Sequence, residues 1–415
     1  MALSGNRGFE GLPGDAEQKF LRMAGAKLGV SSPYFLMHEG DAGAETVIDG
    51  KKLINFSSYD YLGLNHHPDV RRAAVEAIER YGVSASASRL VAGERPVHRA
   101  LEAALGRHYG QESCLTFVSG HGANVSAIGA LMGPRDLILH DSLSHNSIVV
   151  GAQLSRAERR AFAHNDMAAL EKLLASLRDR HERALIVVEG LYSMDGDVCD
   201  LPALVELKQR YGAWLMVDEA HGLGVLGPNG RGVFEHYGMS PSCVDIWMGT
   251  LSKTLASCGG FIAGPAALTD YLRHSAGGFV FSVAMAPALA ASALKALEIL
   301  ESEPERVTRL KANSAAFAKA AVAAGLDIRP SIGEAVIPVV VGSSLVAMLL
   351  SRRLADRGVN VQPIVYPAVP EGLARLRFFI SSEHDSVKVA AIPALLAEEL
   401  PVAQRLVAAA LNGGR

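Results

Sequence analysis

The pattern of apolar and polar positions in the middle of the chain predicts strands and helices in alternation. Between about residues 115 and 261, short apolar runs are separated by segments with apolar residues at helical spacing. Such a pattern indicates a largely parallel sheet that is covered by helices on both faces. Ligands of these sheets bind beyond the carboxyl ends of the strands. The predicted strands are "SCLTFVS", "DLILHD", "ALIVVEG", "AWLMVDE", "DIWMGTL" and "GGFIAG".

Turn and capping residues mark further elements before this alternation. Two β-prone runs flank Asp49-Gly50, a pair that favours a type I′ turn, and so predict a hairpin. Pro68 then stands at the expected first position of a helix that continues to Tyr81. The opening thirty or so residues are Gly-rich and then helical in pattern, which indicates an arm or a packing helix.

The pattern changes again near residue 305. A long helical stretch from Ala284 to Ala324 is broken at Pro304, and a smaller α/β pattern follows. We therefore predict that residues 1–55 form an N-terminal arm and the start of the hairpin. Residues 56–305 would form a large domain, and residues 306–415 a small C-terminal domain.

The composition is that of an enzyme-sized globular protein, with 415 residues, 49% of them hydrophobic, and a formal net charge of -3. This near-neutral balance gives no electrostatic reason to expect nucleic acid or an anionic membrane as partner. The N-terminus lacks the apolar core of a signal peptide, and no apolar stretch reaches the length of a membrane span. The cysteines have no C-x-x-C spacing and predict neither a metal site nor disulfides. We expect a cytoplasmic protein.

One lysine stands where its charge has little apolar surface to cover. Lys253 lies in "GTLSKTLASCGG", among small and hydroxylated residues, directly after a predicted strand. "LMVDEAHGLG" places Asp218 and His221 after another strand. Taken singly, an acid at such a position is more often a solvated strand-to-loop residue than a catalytic one.

Further polar groups follow the other predicted strands. "FVSGHGANVSAIGAL" places Gly120 and His121 between a strand and a helix, where free backbone N–H groups form an anion site. "HDSLSHNS" contributes His145, and "EGLYSMDGD" contributes Glu189 and Ser193. Each of these motifs, taken alone, is weak evidence for a binding site. Together they bring an anion cradle, an imidazole, a hydroxyl and a carboxylate to one edge of the sheet, beside the lysine.

Pyridoxal phosphate requires this combination of groups. It needs a phosphate cradle, a lysine that forms a Schiff base, and a carboxylate that keeps the pyridine nitrogen protonated. Lys253 would anchor the cofactor and, once a substrate releases it, act as a proton-transfer base with a lowered pKa. The sequence therefore predicts pyridoxal phosphate as cofactor and no metal.

The chain resembles the α-oxoamine synthase family, which belongs to the fold-type I pyridoxal-phosphate enzymes related to aspartate aminotransferase. The motifs occur in the family's order and spacing from about residue 45 to 395. The resemblance implies an aspartate-aminotransferase-like α/β fold with a large, mostly parallel sheet domain and a smaller C-terminal α/β domain. The matching motifs are "FSSYDYLGL", "SGHGAN", "HDSLSHNS", "VVEGLYSMDGDVCDL", "VDEAHGLGVLGPNGRG", "GTLSKTLASCGGF" and "ARLRFFISSEHD".

The resemblance also implies roles for individual residues. Lys253 would hold the cofactor as a Schiff base, Asp218 would pair with the pyridine nitrogen, and His145 would stack on the ring. Arg377 would bind the carboxylate of the amino acid, whereas Arg375 is expected to be a solvated or packing residue. The phenolic oxygen would be bound by His221 and Ser193. The phosphate would be held by Gly120, His121, Thr250 and Ser252 and, from the neighbouring subunit of a homodimer, by Ser282.

The reaction implied by the resemblance is a decarboxylating Claisen-type condensation. A small amino acid (glycine, alanine or serine) joins an acyl thioester, giving an α-amino ketone, carbon dioxide and a free thiol. The donor stays open between acyl-CoA and an acyl-carrier protein acting in trans. An aminotransferase or a decarboxylase of the same fold is the alternative, and it would not release both carbon dioxide and thiol.

Two predicted substrate-binding residues bear on specificity. Tyr59 stands where aminooxononanoate and aminolevulinate synthases carry asparagine, and here the chain resembles serine palmitoyltransferases and the polyketide-associated oxoamine synthases. The tyrosine therefore argues against aminooxononanoate synthase activity. Ser88, in "SASASRLVAG", is expected near the α-substituent of the amino acid. A serine there leaves room for alanine or serine as well as glycine.

Overall fold

A hairpin precedes the central sheet in the computed structural model, which describes residues 32–412. Strand β1 (Glu45–Ile48) pairs antiparallel with β2 (Lys51–Asn55). The linking residues Asp49 and Gly50 have φ angles of 51° and 72°, both positive as a type I′ turn requires. The predicted hairpin is therefore confirmed. The predicted N-terminal arm or packing helix lies outside the described residues.

Helices alternate with strands along most of the chain. The predicted helix starting at Pro68 is confirmed, and the predicted break at Pro304 separates two long helices. Within the described residues, no helix combines the length and apolarity that a bilayer crossing requires. The helices are α1 (Pro68–Tyr81), α2 (Pro96–His108), α3 (Gly120–Leu131), α4 (Asn146–Ser155), α5 (Met167–Leu177), α6 (Leu201–Tyr211), α7 (Val233–His236), α8 (Ala266–Ser275), α9 (Gly277–Val280), α10 (Pro287–Ser302), α11 (Glu305–Ala323), α12 (Ser344–Asp356) and α13 (Ser386–Asn412).

Seven strands form the central sheet. They are β3 (Ser113–Phe117), β4 (Leu137–Asp141), β5 (Glu158–Phe162), β6 (Ala184–Glu189), β7 (Trp214–Asp218), β8 (Ile246–Thr250) and β9 (Gly260–Gly264). Their order across the sheet is β3-β9-β8-β7-β6-β4-β5. Strand β9 runs antiparallel to the other six strands, which share one direction. The mostly parallel sheet is confirmed, and every strand predicted from the apolar runs is present.

The edge strand β5 was missed by the sequence analysis. Its sequence "ERRAF" contains three charged residues, and only Phe162 is buried. An edge strand pairs on one side, and charged side chains on it discourage pairing with another chain. Because β5 is so little buried, an analysis based on apolar runs does not detect it.

Alternate residues of the central strands pack on opposite faces of the sheet. Along β6, Leu185 and Val187 belong to one buried cluster, and Ile186 and Val188 belong to another. Successive side chains of a strand point to opposite faces, so both faces of this strand are covered. This double burial explains why the strands are continuous apolar runs.

The C-terminal segment adds β10 (Val336–Gly342), β11 (Val359–Asn360), β12 (Pro363–Ile364) and β13 (Ala374–Phe379). Strand β13 lies between β10 and β12 and is antiparallel to both. Strand β11 instead pairs in parallel with β2, which joins the hairpin to the C-terminal segment. The smaller C-terminal α/β pattern is thus present. The predicted boundaries at residues 55 and 305 stay predictions.

Candidate active site

Residues at the carboxyl ends of the parallel strands line a cavity of about 380 Å³, called the central cavity below. It lies where a parallel sheet is expected to bind its ligand. Of the predicted site residues, only Ser88 and Ser282 do not line it. Those that do are Tyr59, Gly120, His121, His145, Ser193, Asp218, His221, Thr250, Ser252, Lys253 and Arg377.

Lys253 follows β8 and extends into the central cavity. Its Nζ lies 5.6 Å from the centroid of the Tyr59 ring. Burial disfavours the ammonium and lowers the pKa of Lys253 to about 8, although the nearby carboxylates of Asp218 and Glu189 oppose this shift. A lysine with such a pKa is partly neutral near physiological pH, as a nucleophile or a base must be.

Asp218 is the buried last residue of β7, and hydrogen bonds fix both of its oxygens. Its Oδ2 accepts a hydrogen bond of 2.8 Å from the Asn124 Nδ2, and its Oδ1 accepts one of 2.9 Å from the Ala220 N–H. The Asn124 amide donates a second bond of 2.9 Å to the Ser147 Oγ. The sequence analysis did not name Asn124 as a site residue. Its place one helical turn after Gly120 in "SGHGAN" could have indicated it.

Glu189 ends β6 directly beside Asp218 in the sheet register. Its carboxylate accepts the His145 N–H at 2.7 Å and the Ser193 N–H at 3.3 Å. Burial, together with the negative charge of Asp218, raises the pKa of Glu189 to about 8. This buried side chain therefore holds two predicted cofactor-binding residues in place. Sequence reasoning placed Glu189 at a strand end but did not predict this role.

His221 is held as a neutral imidazole. Its Nδ1 is 2.6 Å from the Tyr61 hydroxyl, and its ring is nearly parallel to that of Phe379, 6.1 Å away. Burial, with the nearby charges of Lys253 and Arg377, keeps the pKa of His221 well below its usual range. Since Tyr61 occupies one ring nitrogen, the other remains available to a ligand.

The two arginines of β13 have different environments. Arg377 lines the central cavity, donates to the Ser193 carbonyl oxygen at 3.0 Å, and has its guanidinium 4.7 Å from the centroid of the Phe379 ring. Its Nε is buried and has no hydrogen-bond partner. Arg375 is buried in an ion pair with Asp195, so it is the packing residue rather than a solvated one.

The start of α3 forms the other end of the central cavity. Its first intrahelical hydrogen bond runs from Ala123 N–H to Ser119 O, so the N–H groups of Gly120 and His121 precede it. A Cβ atom on Gly120 would lie 2.9 Å from the Thr250 Oγ1. Glycine therefore allows close approach of the helix start to the hydroxyl at the end of β8.

Ser88 and Ser282 lie outside the central cavity. The Ser88 carbonyl oxygen accepts N–H groups of the tight turn that follows it, from Val91 to Gly93. Ser282 stands between Phe281 and Val283, two exposed apolar residues. Its predicted contact with the neighbouring subunit stays a prediction, as does the contact of Ser88 with the amino acid.

A half-buried histidine, His164, joins two of the loops that contribute residues to the cavity. His164 Nδ1 is 2.9 Å from an Asp141 oxygen, and its Nε2 is 2.8 Å from an Asp197 oxygen. Burial disfavours its charged form, but the two carboxylates outweigh this and raise the pKa of His164 to about 10. The resulting imidazolium links the strand end before His145 to the loop after Ser193.

Comparisons with known proteins agree with this geometry. The family described as aminotransferase class I and II matches residues 51–392. The 8-amino-7-oxononanoate synthase of Geobacter sulfurreducens is 45% identical over 348 residues, covering 83% of this chain and 88% of that protein. The enzyme of the same name from Methylorubrum extorquens is 44% identical over 356 residues, covering 86% and 88%. The solved serine palmitoyltransferase of Sphingomonas wittichii has a TM-score of 0.88 and 32% identity, covering 95% of this chain and 96% of that one.

The chain belongs to the α-oxoamine synthase family. It is an acyltransferase that uses pyridoxal phosphate to condense an amino acid with an acyl thioester. The predicted family, fold type, cofactor and reaction class are thereby confirmed. The interpretation of Tyr59 argued against aminooxononanoate synthase activity, but the curated relatives carry that name. The similar solved structures include serine palmitoyltransferases and an 8-amino-7-oxononanoate synthase. The interpretation of Tyr59 as a specificity residue therefore stays a prediction.

The side chains of the central cavity fit this cofactor. At one end, the N–H groups before the first turn of α3 and the hydroxyl of Thr250 suit a phosphate, and Gly120 allows these two groups to lie close together. On the wall, the fixed carboxylate of Asp218 suits a protonated ring nitrogen. The unpaired Nε of Arg377 still lacks an acceptor, as a carboxylate-binding arginine does before its ligand arrives.

Proposed function

We propose that this enzyme joins glycine, alanine or serine to an acyl thioester, with Arg377 holding the carboxylate of the amino acid. The observation that carries the proposal is the buried Nε of Arg377, which has no hydrogen-bond partner and belongs to a side chain that lines the same cavity as Lys253. Leaving a charged donor buried without an acceptor is costly, and a substrate carboxylate would supply the acceptor. Its packing on Phe379 fixes the plane of the guanidinium for such a contact.

In this proposal, Lys253 is the group that transfers the proton. When bound, pyridoxal phosphate withdraws electrons from the Cα of the amino acid that it carries. Lys253, with a pKa lowered to about 8, takes the proton from that Cα and can return one later. Removal of this proton would allow the Cα to bond to the acyl carbonyl carbon, with release of the thiol and of carbon dioxide.

Other side chains of the central cavity hold and tune the cofactor. Asp218 would keep its ring nitrogen protonated, and His145 would stack on its ring. His221 and Ser193 would bind its phenolic oxygen, the histidine as the neutral imidazole that Tyr61 orients. Glu189 would act through His145 and Ser193 as a positioning residue.

The names of the curated relatives bear on the identity of the amino acid. The product in the names of the curated relatives carries an amino group on C8 beside a ketone on C7, which is an α-amino ketone. The carbon beyond C8 is the methyl group that alanine would supply. Ser88, if it lies near this group, leaves room for alanine or serine. Alanine is therefore the first substrate to test.

The proposal includes a homodimer in the cytoplasm and an acyl donor carried by coenzyme A or by a carrier protein in trans. Ser282 would reach the phosphate of the neighbouring subunit. Its two neighbours, Phe281 and Val283, are exposed apolar residues, which are typical of a surface that a second copy covers.

Borohydride reduction tests the lysine assignment directly. Reduced and digested protein should carry a phosphopyridoxyl group on the peptide that contains Lys253, and Lys253→Ala should abolish this label. The variant should also lower kcat by about 10²–10⁴ because the base is missing. A label on another peptide would contradict the assignment.

Product analysis tests the reaction. Incubated with alanine, glycine or serine and a panel of acyl thioesters, the enzyme should release carbon dioxide and thiol in equal amounts and form an α-amino ketone identified by mass. Amino-group transfer without thiol release would instead indicate an aminotransferase. Turnover with glycine alone would contradict the role of Ser88.

A further inference from the structure

A chain of hydrogen bonds joins two proposed cofactor-binding residues of the central cavity. It starts at the Asp218 Oδ2, which accepts from the Asn124 Nδ2 at 2.8 Å. The same Nδ2 donates to the Ser147 Oγ at 2.9 Å. The Ser147 Oγ in turn lies 2.7 Å from the His145 Nδ1. All four residues line the central cavity, and we call this arrangement the Asp218-to-His145 chain.

Close packing of α3 on α4 brings the two middle members of the chain together. Asn124 lies one helical turn into α3, and Ser147 lies in the first turn of α4. One turn after Ser147, a Cβ on Gly151 would lie only 3.0 Å from the Asn124 carbonyl oxygen. Glycine therefore allows the two helices to approach closely enough for the Asn124 amide to reach the Ser147 hydroxyl. Both side chains are buried, so water does not compete for this bond.

The direction of each hydrogen bond in the chain follows from the chemistry of the groups. A carboxylate only accepts, so the Asn124 atom beside Asp218 must be the amide nitrogen. Its second hydrogen goes to the Ser147 Oγ, whose own proton is then free for the His145 Nδ1. The backbone N–H of Ser147 lies 3.3 Å from the same Nδ1 and can only donate. The His145 Nδ1 is therefore an acceptor.

We propose that Asn124 and Ser147 are positioning residues that hold His145 as the neutral tautomer with its proton on Nε2. The proton of an imidazole stays on the ring nitrogen whose partner nitrogen accepts a hydrogen bond. Because Nδ1 accepts from Ser147, the proton lies on Nε2. The two donor groups of Ser147 also fix the plane of the ring. The importance of this inference for catalysis rests on the proposed function, in which His145 stacks on the cofactor ring.

The surroundings of His145 favour the neutral imidazole over the imidazolium. Burial lowers the pKa of His145, the negative charge of Asp218 opposes this shift, and the positive charges of Lys253 and Arg377 lower the pKa further. An imidazolium would also carry a proton on Nδ1, which would then face the backbone N–H of Ser147. Charge and hydrogen-bond geometry therefore agree on the neutral ring.

One carboxylate would thereby determine two proton positions in the site. Asp218 would keep the ring nitrogen of the cofactor protonated, and through Asn124 and Ser147 it orients the hydroxyl that keeps His145 Nδ1 without a proton. A neutral imidazole does not repel a positively charged ring that stacks on it, whereas an imidazolium would. The tautomer that the chain imposes is thus the one that suits the proposed stacking.

Nitrogen-15 NMR of the histidine-labelled protein measures the tautomer, because ring nitrogens with and without a proton have well-separated chemical shifts. The protein is measured stripped of pyridoxal phosphate and then loaded with it, and His145→Gln identifies the signals. Ser147→Ala removes the hydroxyl donor, and Asn124→Leu removes both amide bonds at similar side-chain volume. Ser155→Ala is the matched control, because Ser155 is a buried serine of the same helix whose hydroxyl binds the Ala152 carbonyl oxygen instead.

The expected result is a neutral His145 with the proton on Nε2 in the wild type and in Ser155→Ala, with and without the cofactor. Ser147→Ala should shift the ratio of the two tautomers toward the one with the proton on Nδ1 by about 3- to 10-fold, the worth of one hydrogen bond. Asn124→Leu should shift it in the same direction, because the Ser147 hydroxyl is then free to rotate. In the loaded enzyme, both variants should lower kcat by a comparable factor, and Ser155→Ala should not.

Three results would overturn the inference. A wild-type His145 with a proton on Nδ1 at neutral pH would contradict the tautomer. Variants whose His145 signals match those of Ser155→Ala would show that Asn124 and Ser147 do not set it, and a shifted tautomer with unchanged kcat would remove its role in turnover. Failure of the proposed function is distinguishable, because the loaded wild type would then form no α-amino ketone while the NMR signals of the stripped protein still report the tautomer.

Discussion

Burial pulls the Lys253 ammonium toward its neutral form, while the carboxylates of Asp218 and Glu189 favour the cation. The result, a pKa of about 8, lies between that of a buried lysine without partners and that of a lysine in water. At His221 the surrounding charges are positive and act in the same direction as burial, so this imidazole stays neutral. At the scale of single residues, the neighbours decide which group carries a proton.

The lowered pKa of Lys253 predicts a pH-dependent stability of the enzyme stripped of pyridoxal phosphate. The pKa of Lys253 is about 8 in the folded protein and 10.5, its ordinary value, in the unfolded chain. Between these two pH values, Lys253 is protonated to a larger extent in the unfolded chain than in the folded protein. The contribution of Lys253 to the free energy of unfolding therefore increases as pH rises through this interval, by roughly 1–3 kcal/mol.

Urea unfolding of the wild type and of Lys253→Met at pH 7.5 and pH 10 measures this effect. The wild type should gain stability relative to the variant at the higher pH. A difference between the two proteins that does not change with pH would show that burial does not shift this lysine.

At the scale of elements, the proposed phosphate end of the cavity depends on the close packing of α3 against β8 and β9. The N–H groups at the start of α3 can serve an anion only if the helix begins next to Thr250. Gly120 permits this, since a Cβ there would also lie 3.1 Å from the Thr250 Cβ. Gly260 of β9 faces the same turn, where a Cβ would lie 2.6 Å from the Gly120 Cα.

Gly120→Ala should weaken cofactor binding. The added methyl group would displace the Thr250 hydroxyl or push the start of α3 outward, and we expect the Kd for pyridoxal phosphate to rise by about tenfold or more, equivalent to about 1.4 kcal/mol. Titration of the stripped enzyme with the cofactor measures it. Gly277→Ala is the control, because a Cβ there meets nothing within 4 Å. Equal effects of the two substitutions would contradict the packing argument.

At the scale of the whole molecule, two surface segments that are joined by a hydrogen bond carry exposed apolar residues. Phe281 is 89% exposed and Val91 is 81% exposed, and a hydrogen bond from the Ala284 N–H to the Ala87 carbonyl oxygen joins their two segments. Exposed apolar residues that lie together mark a surface that another molecule covers. Since Ser282 lies within this surface, the proposed occupant is a second copy of the chain.

Phe281→Asp should therefore destabilise the proposed dimer. A charge at the centre of an apolar interface must be buried without a partner, so sedimentation should show a shift toward monomer at micromolar concentration. The same variant should lose cofactor more readily if Ser282 reaches the neighbouring site. Val387→Asp, at a 78% exposed position of α13, should leave the oligomer unchanged. An unchanged sedimentation profile for Phe281→Asp would contradict this interface.

Local sequence by itself determined much of the fold and the reacting groups. The hairpin follows from Asp49-Gly50, and the buried strands follow from apolar runs that only a sheet covered on both faces produces. The strand ends carrying Lys253 and Asp218 follow from the same runs. Turn conformation and strand position depend on the backbone angles and on the burial of residues that are adjacent in the sequence. A short stretch of residues is therefore enough to determine them.

Only the tertiary structure decided which distant groups meet. Tyr61 bonds His221 across 160 positions, Arg377 reaches the cavity from β13, and Glu189 binds two backbone N–H groups of other loops. It also left Ser88 outside the central cavity. Hydrogen bonds and pKa values depend on such contacts between elements far apart in the chain, and no pattern within a single element contains them.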